Sequence, residues 1–161
     1  MALNPKVLEN ELLAQSEAAA NGAEITYGDF VTALEKYALG IQFPPPAGVS
    51  TGALVLKKTL NVIPTKPPLP IAVPIMKLAI QLFAFSISLA APVGTGLIYP
   101  TIPPVGQPQI DSILSQPNSR EQVAKQLSNA IHSYIVTGQY DAFGLPPAGS
   151  FPGQSGYTSW T

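Results

Sequence analysis

A chain of 161 residues, 46% apolar and only 11% charged, with a formal net charge of −1 and 18 prolines, is long enough for one domain with a buried core and carries less than half the usual ~25% of charged residues. Its eight Lys/Arg are scattered, so there is no basic stripe to neutralise phosphates and no nucleic-acid partner is expected. Cysteine is absent, which removes disulfides, thiolate catalysis and Cys-based metal sites.

So little charge does little to keep copies apart, and the surface reads as one to be covered by other protein. The first residues, MALNPKVLENELLAQ, carry acids among leucines and lack the basic start and unbroken apolar run of a signal peptide. Synthesis and assembly in a cytoplasm is the expectation.

In chain order, Asn4 before Pro5 marks a helix start, because the Asn side chain caps free amides and proline is tolerated at the first helical position. Leu8, Leu12 and Leu13 give that helix a narrow stripe, and Asn21-Gly22 is a left-handed stop. A second helix is expected over 27–39, with Phe30, Leu34, Tyr37 and Ala38 on one face and Gly40 as its stop. Prolines 44–46 forbid continuation.

Ser50 or Thr51 is placed to cap a short helix over 52–62, and PTKPPLP (64–70) imposes an extended, polyproline-like spacer. Residues 71–91 form the longest apolar run. Pro74 fits a first turn, and Met76, Ala79, Ile80, Phe83 and Ile87 are spaced for a helix; a strand from Phe83 is the alternative, but length favours helix. Segment 91–108 is irregular, with Pro100, Pro103 and Pro104 arguing against a central strand.

A short helix near 108–115 precedes the best-defined one. Ser119 to Gln122 has capping-box spacing, and Val123, Leu127, Ala130, Ile131, Tyr134 and Ile135 mark one buried face up to a stop at Gly138. The tail GSFPGQSGYTSWT is Gly/Ser-rich with Phe151, Tyr157 and Trp160 at intervals, which suits anchors.

Two helix ends match without a gap: Ala33-Leu34-x-x-Tyr37 and Ala130-Ile131-x-x-Tyr134, each followed by a glycine and later by Pro-Pro-Ala-Gly. The reading is two helix–turn–extended-arm units folded on a shared core, each tyrosine ring packed inward near the helix end. The expected core is Phe30, Leu34, Tyr37, Ile80, Phe83, Leu127, Ile131 and Tyr134.

No catalytic constellation emerges, and no catalytic, cofactor-binding or metal-binding residues are assigned. His132 is the single histidine, beside an apolar stripe, where an exposed or capping role is expected. Glu9, Glu11, Glu17, Asp29 and Glu35 read as helix-surface charges; GTG (94–96) and GQSG (153–156) lack the strand–helix context of a phosphate loop. Run 71–91 approaches a spanning length, but Lys77 and Gln81 interrupt it and prolines crowd its front. A core or subunit-interface helix is favoured, with Lys77 snorkelling to an edge.

The order of elements carries a resemblance. A helix ends in ALEKYALGIQFPPPAG, an apolar helix follows, a loop reads YPTIPPVGQP, and the last helix reads AKQLSNAIHSYIVTG. Over residues 27–139 this is similar to small virion structural proteins of tailed bacteriophages, especially contractile-tailed ones, although its central helix is heavier in Ile, Leu and Phe than their alanine-rich one. The resemblance implies an assembly subunit of the particle and brings no catalytic residues to transfer.

The expectation is therefore a mainly α fold of five to six helices with proline-rich connectors, divided into a helical assembly domain (1–138) and an extended C-terminal arm (139–161). Interface contacts are expected from Phe43, Ile98, Tyr99, Phe143, Phe151, Tyr157 and Trp160, with Trp160 or Tyr157 inserted in a neighbour's groove. Partners would be other virion proteins and copies of the chain itself, within a virion. A membrane-active or membrane-anchored protein using 71–91 is the alternative, and an enzyme the third reading.

Overall fold

The computed structural model describes residues 3–41, 47–61, 69–88, 101–141 and 157–160. These hold six helices, α1 (Pro5–Ala20), α2 (Tyr27–Ala38), α3 (Ala47–Leu60), α4 (Leu69–Ser88), α5 (Asp111–Ser115) and α6 (Arg120–Ile135). Three short strands, β1 (Thr101–Ile102), β2 (Gln139–Asp141) and β3 (Tyr157–Ser159), complete them. The fold is mainly helical.

Local chemistry sets most helix starts. The Asn4 side chain accepts from the Lys6 amide at 2.9 Å, and Pro5 occupies the first turn of α1, where its missing N–H costs nothing. Gly22 ends the segment in the left-handed region (φ 93°). Ser119 and Gln122 form the reciprocal capping box of α6. Thr26 and Asp29 form a second one at α2, so Asp29 holds a helix start and is not merely a surface charge.

Packing closes the helices into a ring. α1 lies against α6 and α2, α2 against α4, α4 against α5, and α5 against α6, while α3 covers α2 and α4. One apolar core runs through the ring. Phe30, Leu34, Tyr37, Ile80, Phe83, Leu127, Ile131 and Tyr134 are all buried in it. α3 and α4 approach closely because Gly52 has no side chain: a Cβ there would collide with Ser86.

Several expectations are corrected. α3 begins at Ala47, so Ser50 lies inside a helix instead of capping one; burial of Val49, Ala53 and Leu56 extends the apolar face before any cap is reached. Pro74 sits inside α4, beyond its first turn, and removes the hydrogen bond that the Pro70 carbonyl would accept. Neither Gly40 nor Gly138 is among the glycines with positive φ. Both helices instead taper into i→i−3 bonds, Gly40 to Tyr37 and Thr137 to Tyr134 at 3.1 Å each, and the tyrosine sets the shared register, not the glycine.

The strands are the largest addition. β1, β2 and β3 make an antiparallel sheet in that order, with Thr101 opposite Tyr140 and Gln139 opposite Ser159. β1 is an edge strand, the one setting that Pro103 and Pro104 beside it allow. β2 leaves directly from the end of α6, so pairing draws the end of the tail back onto that helix. Trp160 is consequently fully buried in the chain's own core. It donates its amide to the Gly138 carbonyl at 2.9 Å, and its ring lies so close to Gly138 that a Cβ there would come within 2.5 Å. The expectation that Trp160 docks in a neighbour, and that 139–161 stands off the body as an arm, is overturned at this end; the backbone of Tyr157 lies in β3, paired with Asp141 of the same chain.

Candidate functional site

Two features of the described surface go beyond packing. The first is polar. Tyr37, on the last turn of α2, places its hydroxyl 2.6 Å from Nδ1 of His132 on α6, and the rings meet edge to face with centroids 6.0 Å apart. Burial pushes the Tyr37 hydroxyl well above its ordinary range and holds His132 below its usual 6.5. The hydroxyl therefore keeps its proton beside a neutral imidazole, and the hydrogen bond between them runs in the direction that the His132 tautomer sets. In place of the exposed or capping role expected of it, His132 is partly buried and joins the two helices whose sequences match. Its chemical capacity is a response to pH.

The second feature is apolar. α4 buries Ala79, Ile80, Phe83, Ala84 and Ile87 in the core, yet Ile71 (55%), Leu78 (54%) and Leu82 (44%) remain about half exposed on its other side. Ile75 is half-buried in the same row. Residues 71, 75, 78 and 82 are spaced four, three and four apart, which keeps them on one stripe of a helix. Val55 of α3 is 60% exposed; it lies one turn from Gly52, which abuts Ser86 of α4, so it borders the same stripe.

Along one flank of the stripe runs a groove of about 830 Å³ between α4 and α5, with Val73, Lys77 and Gln81 on one wall and Asp111, Ser112 and Ser115 on the other. Lys77 forms an ion pair with Asp111, and this hydrogen bond holds the Asp111 carboxyl below the usual carboxylate range. Lys77 thus reaches a partner at the helix edge, and the groove's main charge is neutralised.

Of the expected interface residues, Phe43, Ile98, Tyr99, Phe143 and Phe151 lie outside the described residues, and Trp160 is core. The seventh, Tyr157, has its backbone in β3. The exposed stripe of α4 was missed although its signal was present: a helix with so few polar residues has more apolar surface than one core contact uses. Among the described residues no group of three His, Cys, Asp or Glu side chains is placed to hold a metal ion, and no helix is long and apolar enough to cross a membrane. Set against known protein families, characterised proteins and solved structures, the chain shows no match.

Proposed function

We propose that this protein is a structural subunit of a tailed-phage virion, acting through protein–protein packing with other virion proteins and with copies of itself. The observation that carries this reading is the row of half-exposed Ile71, Leu78 and Leu82, bordered by Val55. A continuous apolar patch of several hundred Å² is among the largest that a monomer exposes, and such patches are commonly sites of association. The scarcity of charge and the order of helices and proline-rich loops over 27–139 point the same way. In this reading the α3/α4 face takes the joining role that the sequence suggested for the tail.

Mass spectrometry of purified particles tests the assignment. The protein is expected at stoichiometric, reproducible copy number relative to the other particle proteins. Its absence from intact particles, with accumulation only in the lysate, would remove the reading. Flotation with liposomes addresses the membrane alternative, which requires the protein to rise with the lipid.

A further inference from the structure

The exposed stripe of α4 has the arrangement of a helix made to pair with its own kind. Ile71, Ile75, Leu78 and Leu82 follow the alternating four–three spacing by which two helices interlock side chains along a shared seam. Twenty residues make α4 roughly 30 Å long, and with half-exposed Phe85 at its next position the row from 71 to 85 spans two such repeats. The opposite side of the helix is committed to the core, so the stripe is not surplus to a helix that could turn it inward.

Charge and area both suit a second copy. Lys77 is the one ionisable residue of α4, it lies off the stripe, and Asp111 neutralises it; two such faces brought together meet no like-charge repulsion. Val55, Ile71, Leu78 and Leu82, with the exposed parts of Pro74, Ile75 and Phe85, offer roughly 500–600 Å² per copy if each large apolar side chain contributes on the order of 100 Å². Doubled across a two-fold axis, that reaches the ~1,000–1,200 Å² at which specific interfaces begin. A two-fold contact also needs just one self-complementary patch.

We infer that two copies of this chain pack α4 against α4 about a two-fold axis near Leu78, with Val55 of each copy at the rim. The inference rests on the assembly reading for its biological setting but concerns the isolated protein, so the two fail separately. Leu78 lies midway between Ile71 and Phe85, and in a parallel or an antiparallel pair centred on the row it meets its own copy.

The chain has no cysteine, which makes a single introduced thiol an unambiguous probe. Under mild oxidation Leu78→Cys should form a disulfide-linked dimer of the full chain, whereas Asn129→Cys, exposed on α6, should not. In sedimentation equilibrium the unaltered protein should be dimeric at about 10 µM, and the double variant Leu78→Glu/Leu82→Glu should weaken association at least ~100-fold, since two like charges would face each other in an apolar seam. Both positions are exposed, so helical circular dichroism should be unchanged, and Leu78→Ala, with no new charge, should give an intermediate loss.

A protein that stays monomeric at about 100 µM overturns the inference. So does a dimer indifferent to both Leu78 variants, or a stripe shown by cross-linking to be covered by the chain's own segments. Binding to liposomes that the Glu variants abolish while the protein remains monomeric would also overturn it, assigning the face to lipid. If the dimer behaves as expected but particles lack the protein, the assembly assignment falls and this inference stands.

Discussion

At the end of α2 the amides of Leu39, Gly40 and Ile41 reach back to Glu35, Tyr37 and Ala38; at the end of α6 those of Val136, Thr137 and Gly138 reach back to His132, Tyr134 and Ile135 in the same pattern. Counted from the tyrosine, the two ends are superimposable bond for bond. Their surroundings differ. The α6 end is capped by Trp160, stacked on Gly138, and continues into β2; the α2 end sends the Tyr37 hydroxyl across to His132. Tyr134 has no such hydroxyl partner among the described residues. Similar sequence has thus produced the same local turn twice, and the tertiary structure has used one copy as a platform for an aromatic ring and the other as one side of a polar bridge.

The largest expected effect tests the platform. Trp160→Ala empties a fully buried ring site and should destabilise the protein by about 3–5 kcal/mol, read from chemical unfolding. Among the described residues the buried indole Nε1 finds no hydrogen-bond partner, and an unmet donor of this kind costs about 1–3 kcal/mol. Trp160→Phe removes it and keeps most of the ring, so its cost should stay below about 1.5 kcal/mol. Equal losses in the two variants would mean that the ring's volume is not what holds the tail to α6.

Both tyrosine rings belong to the core, and truncating either to alanine should cost about 3 kcal/mol or more; a wild-type melting curve for either variant would contradict the shared-core picture. Removing only the hydroxyls separates the two ends. Tyr37→Phe leaves His132 without its hydroxyl partner and should cost about 1 kcal/mol, since the partly buried His132 regains water. Tyr134→Phe should change stability by less than about 0.5 kcal/mol. If Tyr134→Phe proves the costlier of the two, the assignment of roles is reversed.

The smallest effect is a slope with pH. Burial lowers the His132 pKa in the folded chain from its ordinary 6.5, so the unfolded chain takes up the proton first as pH falls. Stability rises with pH wherever the unfolded state binds more protons; this contribution is present above about pH 6.5 and is lost progressively as pH drops from there toward the folded-state value. His132→Asn, which keeps an oxygen to accept from Tyr37, should flatten the slope as pH falls below about 6.5. A slope unchanged by that substitution would place its origin in carboxylates.

Sequence by itself determined what depends on residues three or four apart: the Asn4 cap, the Ser119–Gln122 box, the buried stripes of α2 and α6, the helical reading of 71–91 as far as Ser88 and the core positions from Phe30 to Tyr134. Each is decided by a side chain meeting its own turn, or by a period that puts apolar groups on one face. The early start of α3 was less legible, because Ser50 and Thr51 favour caps locally and yield once Val49 and Ala53 have a core to enter. Only the tertiary structure decided that β2 recruits β3 and so buries Trp160, that Tyr37 finds His132 on another helix, and that α4 turns one apolar side inward and leaves Ile71, Leu78 and Leu82 outside. These outcomes depend on pairings between residues far apart in the chain, where loop closure must be met by contacts that no local pattern encodes, and on a ring of helices that has room for one side of α4 but not for both.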